Sequence, residues 1–498
     1  MGTQSRMEWE VLLNGDRLAG ELVINDFVEK EHPHSDFGKD YSRILNSAAF
    51  RRLQDKTQVF PLDKGDFVRT RLTHSFETSE VAKSLASMIT TNLSSVGKLS
   101  ENDKVSLTNA PEILACAGLI HDIGNPPFGH FGEEIIKKWF ESNLTKYSIT
   151  SSKDDKLSIA DILEDFQEDF KNYDGNAQAL RVLTTLHKNE SEQGLNLTAP
   201  VLNSIIKYPT FSNEIITDKN DINYQTARKK MGIFRAEEET YKNVVEKTGA
   251  NSFRHPLALI LEAADDIAYK TADIEDGLKK DIYSLNDLTE FLDNKLRNCN
   301  LPDSARRTYQ EKSINYLREL KNNGNNLYAM QTWIANMREW FKFVAVFRFR
   351  DSYNEIMNGT YKNDLFHNTY QSDIIDILGE FMNKYIYPNR EIVKLELSAN
   401  TILTSLLDKF VPAVLYYDEK YKSDDYVEVA SYKKLHILLS ENYVETYNSE
   451  LTRYTDSART EEEKRKYDIY LRLLLVVDYM SGMTDSYAKN LYQALSGL

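Results

Sequence analysis

Apolar residues recur along most of this chain at intervals of three and four, the period of an amphipathic helix, while alternating strand-like runs are few. Tyr41, Ile44, Leu45, Ala48, Ala49 and Leu53 mark one helix face. Val81, Leu85 and Met88 mark a second, and His74 lies at the start of that stripe. A third helix is predicted after Pro256, carrying Leu257, Ala258, Leu261, Ala264 and Ala268; proline suits a first helical turn. The stretches 337–350 and 461–479 read as further buried helices. Three polar stretches, about 143–158, 188–224 and 299–327, read as surface insertions or loops. The expectation is an all-α fold with few or no strands. It divides into an N-terminal helical segment (1–65), a motif-bearing domain (66–275) and a C-terminal helical region (276–498).

Composition narrows the class. The chain has 498 residues, 41% hydrophobic and 28% charged, as in a globular protein. Its longest apolar run, "LRLLLVVDYM" at 471–480, falls short of the roughly 20 residues of a membrane helix. The N-terminus lacks a basic segment followed by an apolar one, and Cys116 and Cys299 make no disulfide framework or zinc pattern. These signs point to the cytoplasm and to no membrane partner. A formal net charge of −15 argues against indiscriminate nucleic-acid binding, although locally gathered basic residues can still hold an anion.

The chemistry begins in the helix after Pro256. Asp265, Tyr269 and Asp273 follow at spacings of four, on the face that also carries Ala258, Leu261, Ala268 and Ala272. A carboxylate on a buried stripe must be paired with a cation, and a buried salt bridge to an arginine is one way. Asp266 points about 100° away, where solvent can reach it. His121 and Asp122 end the apolar run "ILACAGLI", and Gly124 and Pro126 stop the helix just after them. A lone His-Asp pair reads as a solvated loop. With His74 and Asp265 also on apolar faces, a shared metal is the economical account of four costly groups. Two imidazoles and two carboxylates suit Mn²⁺, Mg²⁺, Fe²⁺ or Co²⁺ and lack the thiolates of structural zinc.

A second group follows the turn. His130 and Glu133 are three apart on a helix expected to begin after Gly129, with Glu133 and Glu134 in its first turn. Glu133 could orient His130, and His130 could serve as general acid or base; a capping glutamate beside an incidental histidine is the plainer account. Arg71 stands three residues before His74, with Arg69, Arg51 and Arg52 nearby. Guanidinium groups beside a metal are what a polyphosphate requires, though Arg52 and Arg69 also read as a solvated face. No Gly-rich phosphate loop is present, so side chains and metal must hold any phosphate.

These residues resemble a known family. His74, then His121-Asp122, then a distant Asp265 is similar to the metal-binding signature of the HD superfamily of phosphohydrolases. "YSRILNSAAFRRLQDKTQVFPL", "RTRLTHSFE", "GLIHDIGNPPFGHFGEE", "YDGNAQALR", "LEAADDIAY" and "DYMSGMTDSYA" together resemble the bacterial deoxyguanosinetriphosphate triphosphohydrolases, from about residue 30 to the C-terminus. The resemblance implies an HD-domain helical core, hydrolysis of a dNTP, commonly dGTP, to deoxynucleoside and triphosphate, and a homo-oligomer, a hexamer. It implies a divalent ion on His74, His121, Asp122 and Asp265, Mn²⁺ or Mg²⁺ foremost, with Fe²⁺, Co²⁺ or Ni²⁺ as further candidates. It makes His130 and Glu133 the catalytic pair and sets Tyr269 and Asp273 against the deoxyribose. Gln58 would approach the base, Arg71 would hold the phosphates, and Asn176 with Gln178 would line the pocket. Asp174 stands where the family usually has Glu before "GNAQ", a conservative departure.

Two other readings remain: an HD phosphodiesterase acting on cyclic nucleotides or alarmones, and a nucleotide sensor or single-stranded nucleic-acid binder. "FKFVAVFRFR" interleaves basic and aromatic residues as strand-binding sites do, and also reads as a buried helix with terminal arginines.

Overall fold

In chain order the principal helices are α1 (Asp36–Asn46), α2 (Ala48–Arg52), α3 (Arg71–Ser95), α4 (Ala110–Ile120), α5 (Gly129–Asn143) and α6 (Gly175–Arg181). They continue with α7 (Pro256–Lys279), α8 (Asn326–Asp351), α9 (Arg390–Tyr416), α10 (Glu461–Gly482) and α11 (Asp485–Ser496). The computed structural model describes residues 6–19, 35–60, 68–150, 156–187, 194–221, 224–251, 253–298, 304, 307–308, 310–322, 325–367, 372–418, 420–421, 426–455 and 459–497. The fold is all-α. Among the described residues the only sheet is a two-stranded antiparallel hairpin, Ser148–Thr150 with Lys156–Ser158. One continuous apolar core runs from Met7 to Ala488.

The site rests on the packing of α3, α4 and α7. Thr70 starts α3 with a reciprocal cap: its hydroxyl accepts the Thr73 N–H, and the Thr73 hydroxyl accepts the Thr70 N–H. The buried face of α3 is largely small, with Ser75, Ser79, Ala82 and Ala86, so α4 can approach closely. Closest approach is at Gly118, where an added Cβ would lie 2.5 Å from the Ser79 Cα. The Ser79 hydroxyl donates to the Ala115 carbonyl (2.8 Å) across the same contact. This brings His121, just past the end of α4, beside His74 on α3, with ring centroids 5.3 Å apart. The third helix, α7, starts at Pro256 after His255, whose Nδ1 accepts the Leu257 N–H (3.1 Å). The His255 Nε2–H then donates to the Leu12 carbonyl (3.3 Å), and burial keeps the ring neutral, pushed down to about 4.

Several expectations are corrected. The stripe 41–53 is not one helix: Ser47 is extended, and its hydroxyl donates to the Ile44 carbonyl and accepts the Phe50 N–H, ending α1 and capping α2. Tyr41 is exposed. Helix α5 begins at Gly129, so Glu133 and Glu134 fall in its second turn. The polar stretch 188–224 contains a fully buried helix, Ala199–Ile205, and 299–327 contains helical turns at Gln310–Asn315 and Tyr316–Asn322. Parts of all three polar stretches, and Cys299, lie outside the described residues. In α8, Phe341, Val344, Ala345, Val346 and Phe349 are buried as expected, but Phe343 and Phe347 face outward.

Gly118→Ala tests the helix contact. Alanine gains about 1 kcal/mol in helix propensity, yet its Cβ meets backbone, and such overpacking costs about 1–3 kcal/mol. We expect a lower thermal midpoint than wild type; an unchanged or higher one contradicts the close contact.

Candidate active site

Four ligating groups meet where α3, α4 and α7 converge. His74 Nε2 lies 3.1 Å from Asp265 Oδ1, and His121 Nε2 lies 3.5 Å from the same oxygen and 3.6 Å from Asp122 Oδ1. Among the described residues, His74, His121 and Asp122 offer ligand atoms within 4.8 Å of one another. His121 is oriented from behind: its Nδ1–H donates to the Gly118 carbonyl (2.8 Å), which leaves Nε2 aimed at the carboxylates. That Nε2 is buried without a well-formed hydrogen bond. Burial opposes charge on this ring, yet Asp122 and Asp265 push it up to about 9. Burial likewise opposes charge on both carboxylates. Arg71, His121 and His74 hold Asp122 well below the usual range, and His121 and His74 do the same for Asp265. So strong a draw for positive charge, with nitrogen and oxygen donors and a buried imidazole nitrogen that lacks a well-formed hydrogen bond, fits a divalent cation.

Beside this set lies the second pair. His130 Nδ1 is 2.9 Å from Glu133 Oε2, and Glu133 Oε1 accepts the Gly175 N–H (2.8 Å). The carboxylate is buried while the imidazole is open to the cavity, at 79% side-chain exposure. Burial alone would raise Glu133; His130, Lys230 and the Gly175 N–H outweigh it and bring it down to about 2. The Glu133 charge in turn raises His130.

His121, Asp122 and Asp265 of the first group and His130 of the second open onto one cavity of about 520 Å³, the size of a small-molecule site, while His74 and Glu133 are buried. Gln58, Arg71, Asn176, Tyr269 and Asp273 line it, as the sequence reading expects. Arg71 pairs with Asp122 and lines the cavity beside it. Asp266 is a correction: it also lines the cavity, and burial pushes its carboxyl up to about 6. Lys270, on the same helix, lies 4.0 Å from it. Gln178 is the other correction. It is fully buried away from the cavity, its amide donating to Asp478 (2.9 Å), because α6 starts at Gly175, capped by Asp174, and two residues past Asn176 is some 200° round the helix. Arg69 is spent on Glu77, Glu275 and Asp276, and Arg51 on the Asn46 carbonyl. Arg52 lines a separate cavity of about 260 Å³. Glu134 is exposed and pairs with Lys137.

The sequence reading missed a basic wall. Lys207, Lys229 and Lys230 line the cavity, with Lys207 3.5 Å from Glu262 and Lys230 2.9 Å from Asp174. The "ARKK" run at 227–230 was the available signal, but it lies among short turns with no helical period. Also missed were Tyr387, whose hydroxyl donates to Asp273 (3.1 Å), and Ile392 and Glu396, one turn apart on α9. Burial pushes Asp273 up to about 8, the Tyr387 hydrogen bond opposing it.

Two histidines and two aspartates gathered by three helices beside a cation-walled cavity define an HD-domain protein, and residues 71–199 match the HD domain family. A deoxyguanosinetriphosphate triphosphohydrolase-like protein of Listeria monocytogenes is 40% identical over 494 residues, 99% of this chain and all of the relative. The deoxyguanosinetriphosphate triphosphohydrolases of Klebsiella pneumoniae and Salmonella enteritidis are 30% and 32% identical, each across 92% of this chain and 93% of the relative. The chain belongs to the deoxyguanosinetriphosphate triphosphohydrolase family. No helix among the described residues is long and apolar enough to cross a membrane.

Titration with Mn²⁺, followed by the electron paramagnetic resonance signal of the free ion, checks the metal set. Wild type is expected to bind one ion per chain, and His121→Ala to lose about 10-fold or more in affinity. Equal affinity in the two proteins contradicts the assignment.

Proposed function

We propose that the protein hydrolyses dGTP, and other dNTPs with it, to deoxynucleoside and inorganic triphosphate, and so acts on the dNTP pool. The observation that carries this reading is a single cavity lined by His121, Asp122 and Asp265 of the histidine–aspartate set, by the Tyr269–Asp273 pair and by four cations, Arg71, Lys207, Lys229 and Lys230. A cyclic nucleotide has a single phosphate and leaves most of those cations unused; a triphosphate engages them all. A divalent ion on His74, His121, Asp122 and Asp265, Mn²⁺ or Mg²⁺ foremost, would polarise the α-phosphate oxygens as a Lewis acid.

The residues divide the work. Arg71 takes up charge developing on the α-phosphate, while the lysines hold the outer phosphates. Water attacks the α-phosphorus and the bond to the deoxyribose 5′ oxygen breaks, so water loses a proton and the 5′ oxygen gains one. His130, its Nδ1–H fixed on Glu133, presents Nε2 to the cavity to carry that proton. Tyr269 and Asp273 meet the deoxyribose, the tyrosine leaving no room for a 2′ hydroxyl. Gln58 stands toward the base, and Asn176 lines the pocket. Glu396 supports guanine, since a carboxylate accepts both N–H groups of its Watson–Crick edge and adenine presents an acceptor there. The proposal includes a cytoplasmic homo-oligomer, a hexamer, to which the outward Phe343 and Phe347 are available. It keeps the division into 1–65, 66–275 and 276–498, with residues of all three parts lining the cavity.

Incubation with each dNTP, NTP and cyclic nucleotide in Mn²⁺ or Mg²⁺, followed by ³¹P NMR, tests the reading. Triphosphate is the expected product, fastest from dGTP. Pyrophosphate with a monophosphate, or no turnover with retained binding, sinks it.

His130→Ala should lower kcat about 10²- to 10⁴-fold with little change in binding. Glu133 raises His130, so in Glu133→Gln the residual pH–rate limb belonging to His130 moves to lower pH. A limb that stays in place, or moves upward, removes Glu133 from that role.

A further inference from the structure

The turn joining the two halves of the site, residues 121–130, carries two prolines and two successive left-handed residues, Phe128 (φ 64°) and Gly129 (φ 60°). Glycine adopts this conformation freely, whereas phenylalanine does so only under external constraint. The constraint comes from the other end of the chain. Asp485, the first residue of α11, accepts the Phe128 N–H on Oδ1 (2.9 Å) and the Thr57 N–H on Oδ2 (3.0 Å), with the Thr57 hydroxyl on the same oxygen.

Lys56, the neighbour of Thr57, makes the second link. Its ammonium is buried and donates to the Asn125 carbonyl (2.6 Å) and to the Ser481 carbonyl (2.7 Å). Asn125 passes the link on, its side-chain amide donating to Asp122 Oδ1 (2.7 Å). No carboxylate of the described residues comes within ion-pair distance of this ammonium, and a buried cation held only by carbonyls is costly. Burial, with Arg52 and Arg71 nearby, pushes Lys56 down to about 7, while Asp485 and Asp122 act the other way. An apolar side chain would fill the space at lower cost, so what the lysine contributes is direction: it fixes where two backbone segments stand.

We propose that Lys56 and Asp485 are positioning residues that lock the turn 121–130 onto the segment 481–485, and thereby aim Asp122 at the metal and His130 at the cavity. The proposal rests on the reading of the site given above, but its test does not require nucleotide turnover.

Lys56→Met, Lys56→Arg and Asp485→Asn, each in the full chain, are compared with wild type by hydrogen–deuterium exchange and by Mn²⁺ titration without nucleotide. In the Met and Asn variants we expect faster exchange confined to about 121–133 and Mn²⁺ affinity lower by about 10- to 100-fold, with Lys56→Arg restoring part of both. Unchanged exchange and Mn²⁺ affinity overturn the proposal. So does loss of protection spread evenly along the chain, which marks a purely structural role. Should Lys56→Met fail to fold, Lys56→Arg and Asp485→Asn decide by the same two readouts. Failure of the nucleotide reading looks different: wild type binds Mn²⁺ and holds the turn, yet releases no triphosphate.

Discussion

Two carboxylates and two imidazoles brought together at the buried junction of three helices require positive charge among them, and the rest of the site follows from that requirement. Asp122 and Asp265 lie in an environment that by itself disfavours their charge. Arg71 meets part of the demand, and a proton on His121 meets more in the bare protein. A divalent cation satisfies it better, because it can be shared by all four groups at once. The helices are shaped to permit this: small residues on α3 and Gly118 on α4 allow the approach that sets the imidazoles side by side.

The chemistry around that centre is divided by environment. Glu133 and His130 form a pair in which the buried member stays charged and the open member is made more basic. Asp273, held by a tyrosine hydroxyl, is pushed by burial toward its neutral form. A neutral carboxyl can donate a hydrogen bond as well as accept one, which suits contact with a sugar hydroxyl. Glu133 and Asp273 are equally buried and thus differ in charge because they differ in partners.

What the sequence disclosed was whatever helical period could disclose. His74 and Asp265 stood out as polar residues on apolar stripes, and His121 and Asp122 as the end of one; the HD-type core came from the resemblance that these residues and the accompanying motifs carry. Gln178 came from the resemblance alone, and a seven-residue helix has no long stripe to check its phase; the observed start at Gly175, capped by Asp174, shows it turned toward Asp478. The helix break at Ser47 was hidden because a serine that caps one helix and ends another looks like any exposed position. Lys207, Lys229 and Lys230 lie in irregular segments where the chain path, not periodicity, decides which way a side chain faces. Tyr387 and Asp485 come from far along the chain, and spacing says nothing about contacts made across more than a hundred residues.

The proposed reaction breaks the bond between the α-phosphorus and the deoxyribose 5′ oxygen by attack of water on phosphorus. Turnover of dGTP in H₂¹⁸O, with both products weighed by mass spectrometry, tests it most directly. The account predicts one ¹⁸O in the triphosphate and none in deoxyguanosine. Label in the deoxyguanosine 5′ hydroxyl, or in a pyrophosphate released beside dGMP, would contradict it.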